Sequence, residues 1–229
     1  MIFISEDPIL ISDFQVDESA KTEMKITWDY SGTEPEGGWL LMYTVDGSDN
    51  QVVQCEKASA KVAPLVPGAN YKFILQSADN RTVFNNLVYH QAKEAEVFKE
   101  LNYVADQVTI DLLRTPEVSD WSFETVGEED FTTTFAVGES ASMVLRSTSS
   151  VYVPSNKVKV LFVFRDSYGN VLPELVTEVT HTWKNIWISG DVKTGEIEIP
   201  VLPTVPGDYQ LDLYFNGGVA KTLDFTITA

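Results

Sequence analysis

The stretch Leu65 to Leu75 constrains this 229-residue chain more than any other. Pro67 presets its own φ and Gly68 tolerates positive φ, so the pair makes a tight corner. Beyond the corner Tyr71, Phe73 and Leu75 alternate with Lys72 and Gln76, the period of a strand with one buried face. The same device returns at Val205 to Phe215, where Pro206-Gly207 is followed by Tyr209 with one residue fewer between Gly and Tyr. A corner of this kind turns the chain into a β-sandwich, and two corners predict two sandwiches.

The rest of the chain fits that frame. Residues 9–16 alternate, and Lys21 to Trp28 put Met24, Ile26 and Trp28 on one face against Lys25 and Thr27 on the other. Trp39 to Val45 is apolar on nearly every position, as in the middle of a sheet. Asp46-Gly47 is a turn, Gln51 to Gln54 and Ser59 to Val62 are short strands, and Thr82 to His90 is expected as one closing strand after a hairpin loop at Asp79 to Arg81. A Trp ending the second strand, the aromatic third strand with Tyr43, and Leu65-x-Pro67-Gly68-x-x-Tyr71 together resemble the fibronectin type III domain, over about residues 9–92. The resemblance implies a core role for Trp28 and a hydroxyl-to-backbone hydrogen bond for Tyr71. No Arg-Gly-Asp occurs, so the integrin-binding motif of some members is absent.

Residues 91–119 mix helix formers such as Glu94, Ala95 and Glu96 with a strand-like Val108 to Leu113, and are expected as a linker with an early strand. Short strands then follow at Phe131–Val137, Ala141–Arg146, Lys157–Arg165, Val171–Val179, Trp183–Ile188, Glu196–Ile199, Asp208–Phe215 and Val219–Thr228. Turn signals separate them, and no helix pattern intervenes, which argues against a parallel sheet. This half resembles bacterial immunoglobulin-like domains through its strand spacing and its Pro206-Gly207-x-Tyr209 corner. The expected fold is therefore all-β, two tandem antiparallel β-sandwich domains: residues 1–92 fibronectin type III-like, 93–119 linker and early strand, 120–229 immunoglobulin-like.

Charge narrows the partners. The formal net charge is −18, with about −8 on residues 1–98 and −10 on 99–229, and a field of that sign repels nucleic acid and anionic membrane surfaces. Glu117 to Asp130 holds six acids and no base, read as a solvated edge or as part of a cation site completed elsewhere. No run approaches the roughly 20 apolar residues of a membrane span, so no membrane insertion is expected in this segment. With Cys55 the single cysteine, no intrachain disulfide can form, which points to a bacterial source or a reducing compartment. Met1 to Pro8 has neither the positive region nor the apolar core of a signal peptide, as expected for a piece of a longer exported protein or a chain exported by another route, if at all.

Catalytic sets are missing from the pattern. His90 and His181 sit in no metal or triad motif, no glycine-rich loop opens a helix, and carboxylate pairs are expected by chance in so acidic a chain. Asp46, Ser48 and Asn50 imitate the start of a calcium loop, but Gln51 and Lys57 stand where Gly and Glu are needed, so a hairpin turn explains them. The expectation is no enzyme, no cofactor and no metal. The one polar-aromatic stretch is His181-Thr-Trp183-Lys-Asn185-Ile-Trp187, whose His181, Trp183, Asn185 and Trp187 would share one face of a strand. That face suits sugar stacking, while the tryptophans serve equally as core; Trp39 and Trp121 carry the same ambiguity.

The functional expectation is a non-catalytic extracellular spacer or adhesion module of a bacterial surface or secreted protein, monomeric, with a protein or glycan ligand. A carbohydrate-binding accessory module of a secreted glycoside hydrolase and a phage virion decoration or tail protein are the alternatives.

Overall fold

The computed structural model describes residues 7–20, 22–95, 108–114, 132–147, 151–153, 157–182, 186–188, 192–215 and 217–229. It is built from strands with one short 3₁₀ turn among these residues, and it divides into two compact units, Met1–Glu94 and Ala95–Ala229. The acidic run Glu117–Asp130, with Trp121, lies outside the described residues.

The first unit contains β1 (Ile9–Ala20), β2 (Glu23–Tyr30), β3 (Trp39–Val45), β4 (Gln51–Cys55), β5 (Ser59–Val62), β6 (Asn70–Ser77), β7 (Val83–Phe84) and β8 (Leu87–Gln91). Two four-stranded sheets result, ordered β5-β2-β1-β7 and β4-β3-β6-β8. The alternation read from the sequence sets their inner faces. Met24, Ile26 and Trp28 of one sheet and Trp39, Leu41, Phe73 and Leu75 of the other are buried, and the Trp28 and Trp39 rings meet across the sandwich, 5.8 Å apart and edge-on. Cys55 ends β4 as a buried residue, and its thiol is pushed up by burial, as suits a packing residue.

The closing strand of this unit differs from expectation. Thr82 to His90 forms two strands, because Asn85 takes a positive φ of 55° and the Asn86 side-chain amide, not the backbone, bonds the Leu75 carbonyl at 2.9 Å. The break lets the chain serve both sheets: β7 runs parallel to β1, pairing Ile9 with Val83 and Leu10 with Phe84, and β8 runs antiparallel to β6.

The second unit contains β9 (Val108–Arg114), β10 (Thr134–Ala136), β11 (Ala141–Ser147), β12 (Val151–Val153), β13 (Lys157–Arg165), β14 (Thr177–Thr182), β15 (Ile186–Ile188), β16 (Val192–Ile199), β17 (Gly207–Phe215) and β18 (Gly218–Thr228). A five-stranded sheet, β10-β18-β17-β13-β14, faces a three-stranded sheet, β16-β11-β9. Phe135, Phe162, Phe164, Leu213 and Phe225 from the former and Leu112, Met143 and Ile197 from the latter share one core. The other face of β13 and β17 is also closed to solvent, with Leu161, Val163, Asp212 and Tyr214 all buried. Asp212 is held there by Arg165 (2.8 Å) and by the Thr222 hydroxyl (2.6 Å).

Two further expectations change here. The strand expected over Val171–Val179 starts with a single bridge from Val171 to Arg165, then takes a 3₁₀ turn at Pro173–Leu175 before β14 begins, since Pro173 has no N–H to give a ladder. Of the strand expected over Phe131–Val137, Phe131 lies outside the described residues and Thr134–Ala136 is strand, and Val151–Val153, too short to stand out as a pattern, pairs with Ile186–Ile188.

Candidate functional site

The polar-aromatic stretch is distributed over two sheets. His181 lies in β14 opposite Val158 of β13, half-buried, and burial pushes its pKa down, toward the neutral imidazole. Trp187 lies in β15 opposite Tyr152 in the separate two-stranded sheet. Trp183 and Asn185 fall outside the described residues. Trp39, whose placement the sequence left open, is fully buried in the first core, as is Trp28; neither indole N–H has a protein partner.

Both corners are closed by their tyrosines. The Tyr71 hydroxyl accepts the Val66 N–H at 2.9 Å, and the ring stacks on Phe73 with an 8° tilt at 5.7 Å. Burial pushes the Tyr71 phenol well above the ordinary tyrosine range. The Tyr209 hydroxyl instead donates to the Val205 carbonyl at 2.8 Å, and its ring stacks on Phe225.

The loops of the first unit are fastened by charge. Asp79 takes the Arg81 Nε at 2.9 Å and the Glu36 N–H at 2.9 Å, while the Arg81 Nη2 reaches the Thr33 carbonyl at 3.1 Å. Burial pushes the Asp79 carboxyl up, but these donors outweigh it and hold the group below its ordinary value. At the opposite end, Glu18 accepts from the Lys93 N–H (2.8 Å) and contacts His90 Nε2 (3.0 Å). The Gly68 N–H bonds the Lys93 carbonyl and the Ala92 N–H the Ala69 carbonyl, so the outgoing chain is laced to the corner.

A cleft of about 600 Å³ opens in the second unit, lined by Asp166, Tyr168, Asp208, Tyr209, Gln210 and Asp224 among others. Its carboxylates already have partners within the unit. Asp166 is bonded by the Tyr168 N–H and the Asn170 backbone and side chain, Asp208 by Thr226, and Asp224 by Gln210. Among the described residues no group of three or more His, Cys, Asp or Glu is placed to hold a metal ion. The Asp46-Gly47 segment is a turn with positive φ at both residues, and the Asp46 carboxylate caps the Asn70 N–H at 2.7 Å.

Sequence reasoning missed the outer face of the β4-β3-β6-β8 sheet. There Val52, Met42, Ile74 and Leu87 lie side by side in register, one from each strand. Val52 is 58%, Leu87 46% and the neighbouring Tyr89 69% exposed. The signal was present in Trp39–Val45, whose outward Leu40 and Met42 are as apolar as its inward positions, but both-face apolarity in a strand ordinarily means burial on both faces.

No family model matches the chain, and no curated protein matches it. Similar solved structures include a two-domain fibronectin type III segment of chicken tenascin, at 12% identity and TM-score 0.32, covering 96% of this chain and 99% of that one. The fibronectin(III)-like modules of Clostridium thermocellum CbhA match at 11% identity and TM-score 0.25, over 96% of this chain and 93% of that one. Three fibronectin domains of chicken CNTN1 match at 9% identity and TM-score 0.30, over 96% and 99%. With scores this low, the fold assignment stands on the ladders and cores of the chain itself. Among the described residues no helix is long and apolar enough to cross a membrane.

Proposed function

We propose that the chain is a non-catalytic spacer and adhesion module, two β-sandwiches in series, of a bacterial surface or secreted protein. The observation that carries this reading is the parallel pairing of β1 with β7 in the first unit. Tension on a tethered module pulls the start of β1 one way and the chain leaving β8 the other. Parallel terminal strands then slide past each other, and their bonds, including Ile9 N–H to the Thr82 carbonyl at 2.9 Å, are loaded together instead of opening one by one. The lacing of Ala92 and Lys93 onto the corner feeds that load into the sandwich rather than peeling β8 away.

The test is single-molecule force spectroscopy on the intact chain, pulled from its two ends, with Phe84→Pro as the probe. A proline inside the short parallel pair removes a ladder donor at an exposed position. The expected result is a clear fall in the unfolding force assigned to the first unit, with the force of the second unit unchanged. An unaltered first-unit force removes the load-bearing role.

A further inference from the structure

The row Val52–Met42–Ile74–Leu87 crosses all four strands of the outer face, with Leu40 and Tyr89 adjoining it. The strand positions on this face hold no carboxylate: Thr44, Lys72, Gln54, Gln76, Asn70 and Gln91 complete it. In a chain of net charge −18, a face with an apolar row and a single charge, that of Lys72, is a local exception. The acids lie at its two ends. Asp46 and Asp49 sit in the β3–β4 turn at one end, where Lys93 is already bonded to Glu18. Glu34, Glu36 and Glu56 sit in the loops at the other, where Lys57 adjoins Glu56 and Arg81 is paired with Asp79, so both ends keep an excess of acid. A second copy laid face to face about a two-fold axis brings acidic end against acidic end in either strand orientation, so self-pairing is opposed. A complementary occupant has the reverse layout, an apolar centre with basic ends.

We infer that this face docks a partner protein through an apolar segment flanked on both sides by lysine or arginine. The inference rests on the adhesion reading above and names the partner class for it. Apolar contact on Val52, Leu87 and Tyr89 supplies the burial, and the acidic ends set orientation and speed encounter.

The probes are a short valine-and-leucine peptide flanked by lysines and its twin flanked by glutamates, titrated into the intact chain carrying ¹³C-methyl methionine. Of the four methionines, Met42 lies in the row, and Met24 and Met143 are fully buried in the two cores, so these signals separate the face from the interior. The expected result is a shift confined to Met42 with the lysine peptide, none with the glutamate twin, and affinity about tenfold weaker in Val52→Ser/Leu87→Ser. Val219→Ser, at an exposed position of the second unit, should bind as the parent does. Equal affinity in the double variant, equal binding of both twins, or no binding of either overturns the inference. So does a Met42 shift that follows protein concentration alone, which would make the occupant a second copy. These outcomes are independent of unfolding force, so the face can fail while the load-bearing role stands.

Discussion

The two corners carry nearly the same residues and close in opposite senses. In each, the tyrosine hydroxyl bonds the residue just before the proline. Tyr71 accepts the N–H of Val66, five positions back, whereas Tyr209 donates to the carbonyl of Val205, four positions back. The missing residue between Gly207 and Tyr209 shifts the register by one and presents the other polar group of the peptide. Surroundings differ as well: Val66 is 1% exposed and Val205 65%. The first corner is part of a core, the second a surface turn. A shared motif therefore predicts that a bond exists, while burial decides what the bond is worth.

The largest expected difference comes from deleting the hydroxyls. Tyr71→Phe strands a buried N–H and should destabilise the first unit by about 1–3 kcal/mol, whereas Tyr209→Phe leaves a carbonyl that water can reach and should cost about 0.5 kcal/mol. Urea unfolding followed separately for each unit checks both, and equal shifts would erase the distinction between the corners. Next in size are the corner glycines. Gly68 holds φ +74°, so Gly68→Ala should cost about 1–2 kcal/mol. The Glu94 carboxylate that an added Cβ would meet belongs to a side chain able to swing aside. Gly207 has no such φ, and a Cβ there meets the Tyr209 ring at an ordinary 3.6 Å, so Gly207→Ala should change stability by less than about 0.5 kcal/mol.

The smallest effect in neutral solution appears only at high pH. Burial raises the Tyr71 phenol in the folded state, so above about pH 10 the unfolded chain releases a proton that the folded unit keeps. Fewer protons bound in the unfolded state means stability falls as pH rises from there toward the folded value. Thermal unfolding of the first unit at pH 9 and about pH 11 should show a loss that Tyr71→Phe reduces. The same loss in parent and variant would assign it to other tyrosines.

Much of this architecture is legible residue by residue. Met24, Ile26, Trp28, Phe73 and Leu75 alternate so regularly that their inward faces follow from the two-residue period alone. The strand break at Asn85 left a signal in Asn85-Asn86, two turn-forming residues between the apolar pairs Val83-Phe84 and Leu87-Val88, but the change of partner it serves, from β1 to β6, depends on the two sheets and is not legible. Pro173 did offer a signal, a missing donor within an expected strand, and it marks the place where that strand fails. Of the polar-aromatic stretch, His181 and Trp187 are assigned to separate sheets, and that partition depends on pairings with Val158 and Tyr152, residues far from them in sequence.

By itself the sequence determined the fold class, the two corners and the inward residues of most strands, because these follow from local geometry: a preset proline φ, a permissive glycine and a period of two. The tertiary structure alone decided which strands are neighbours, which end of the peptide each corner tyrosine binds, and which apolar positions stay in water. Val52, Ile74 and Leu87 are as apolar as the core, yet among the described residues of the first unit no second layer covers their face, and Val52 and Leu87 are exposed at 58% and 46%. Exposure is a property of what packs against a side chain, and that depends on parts of the chain far away in sequence.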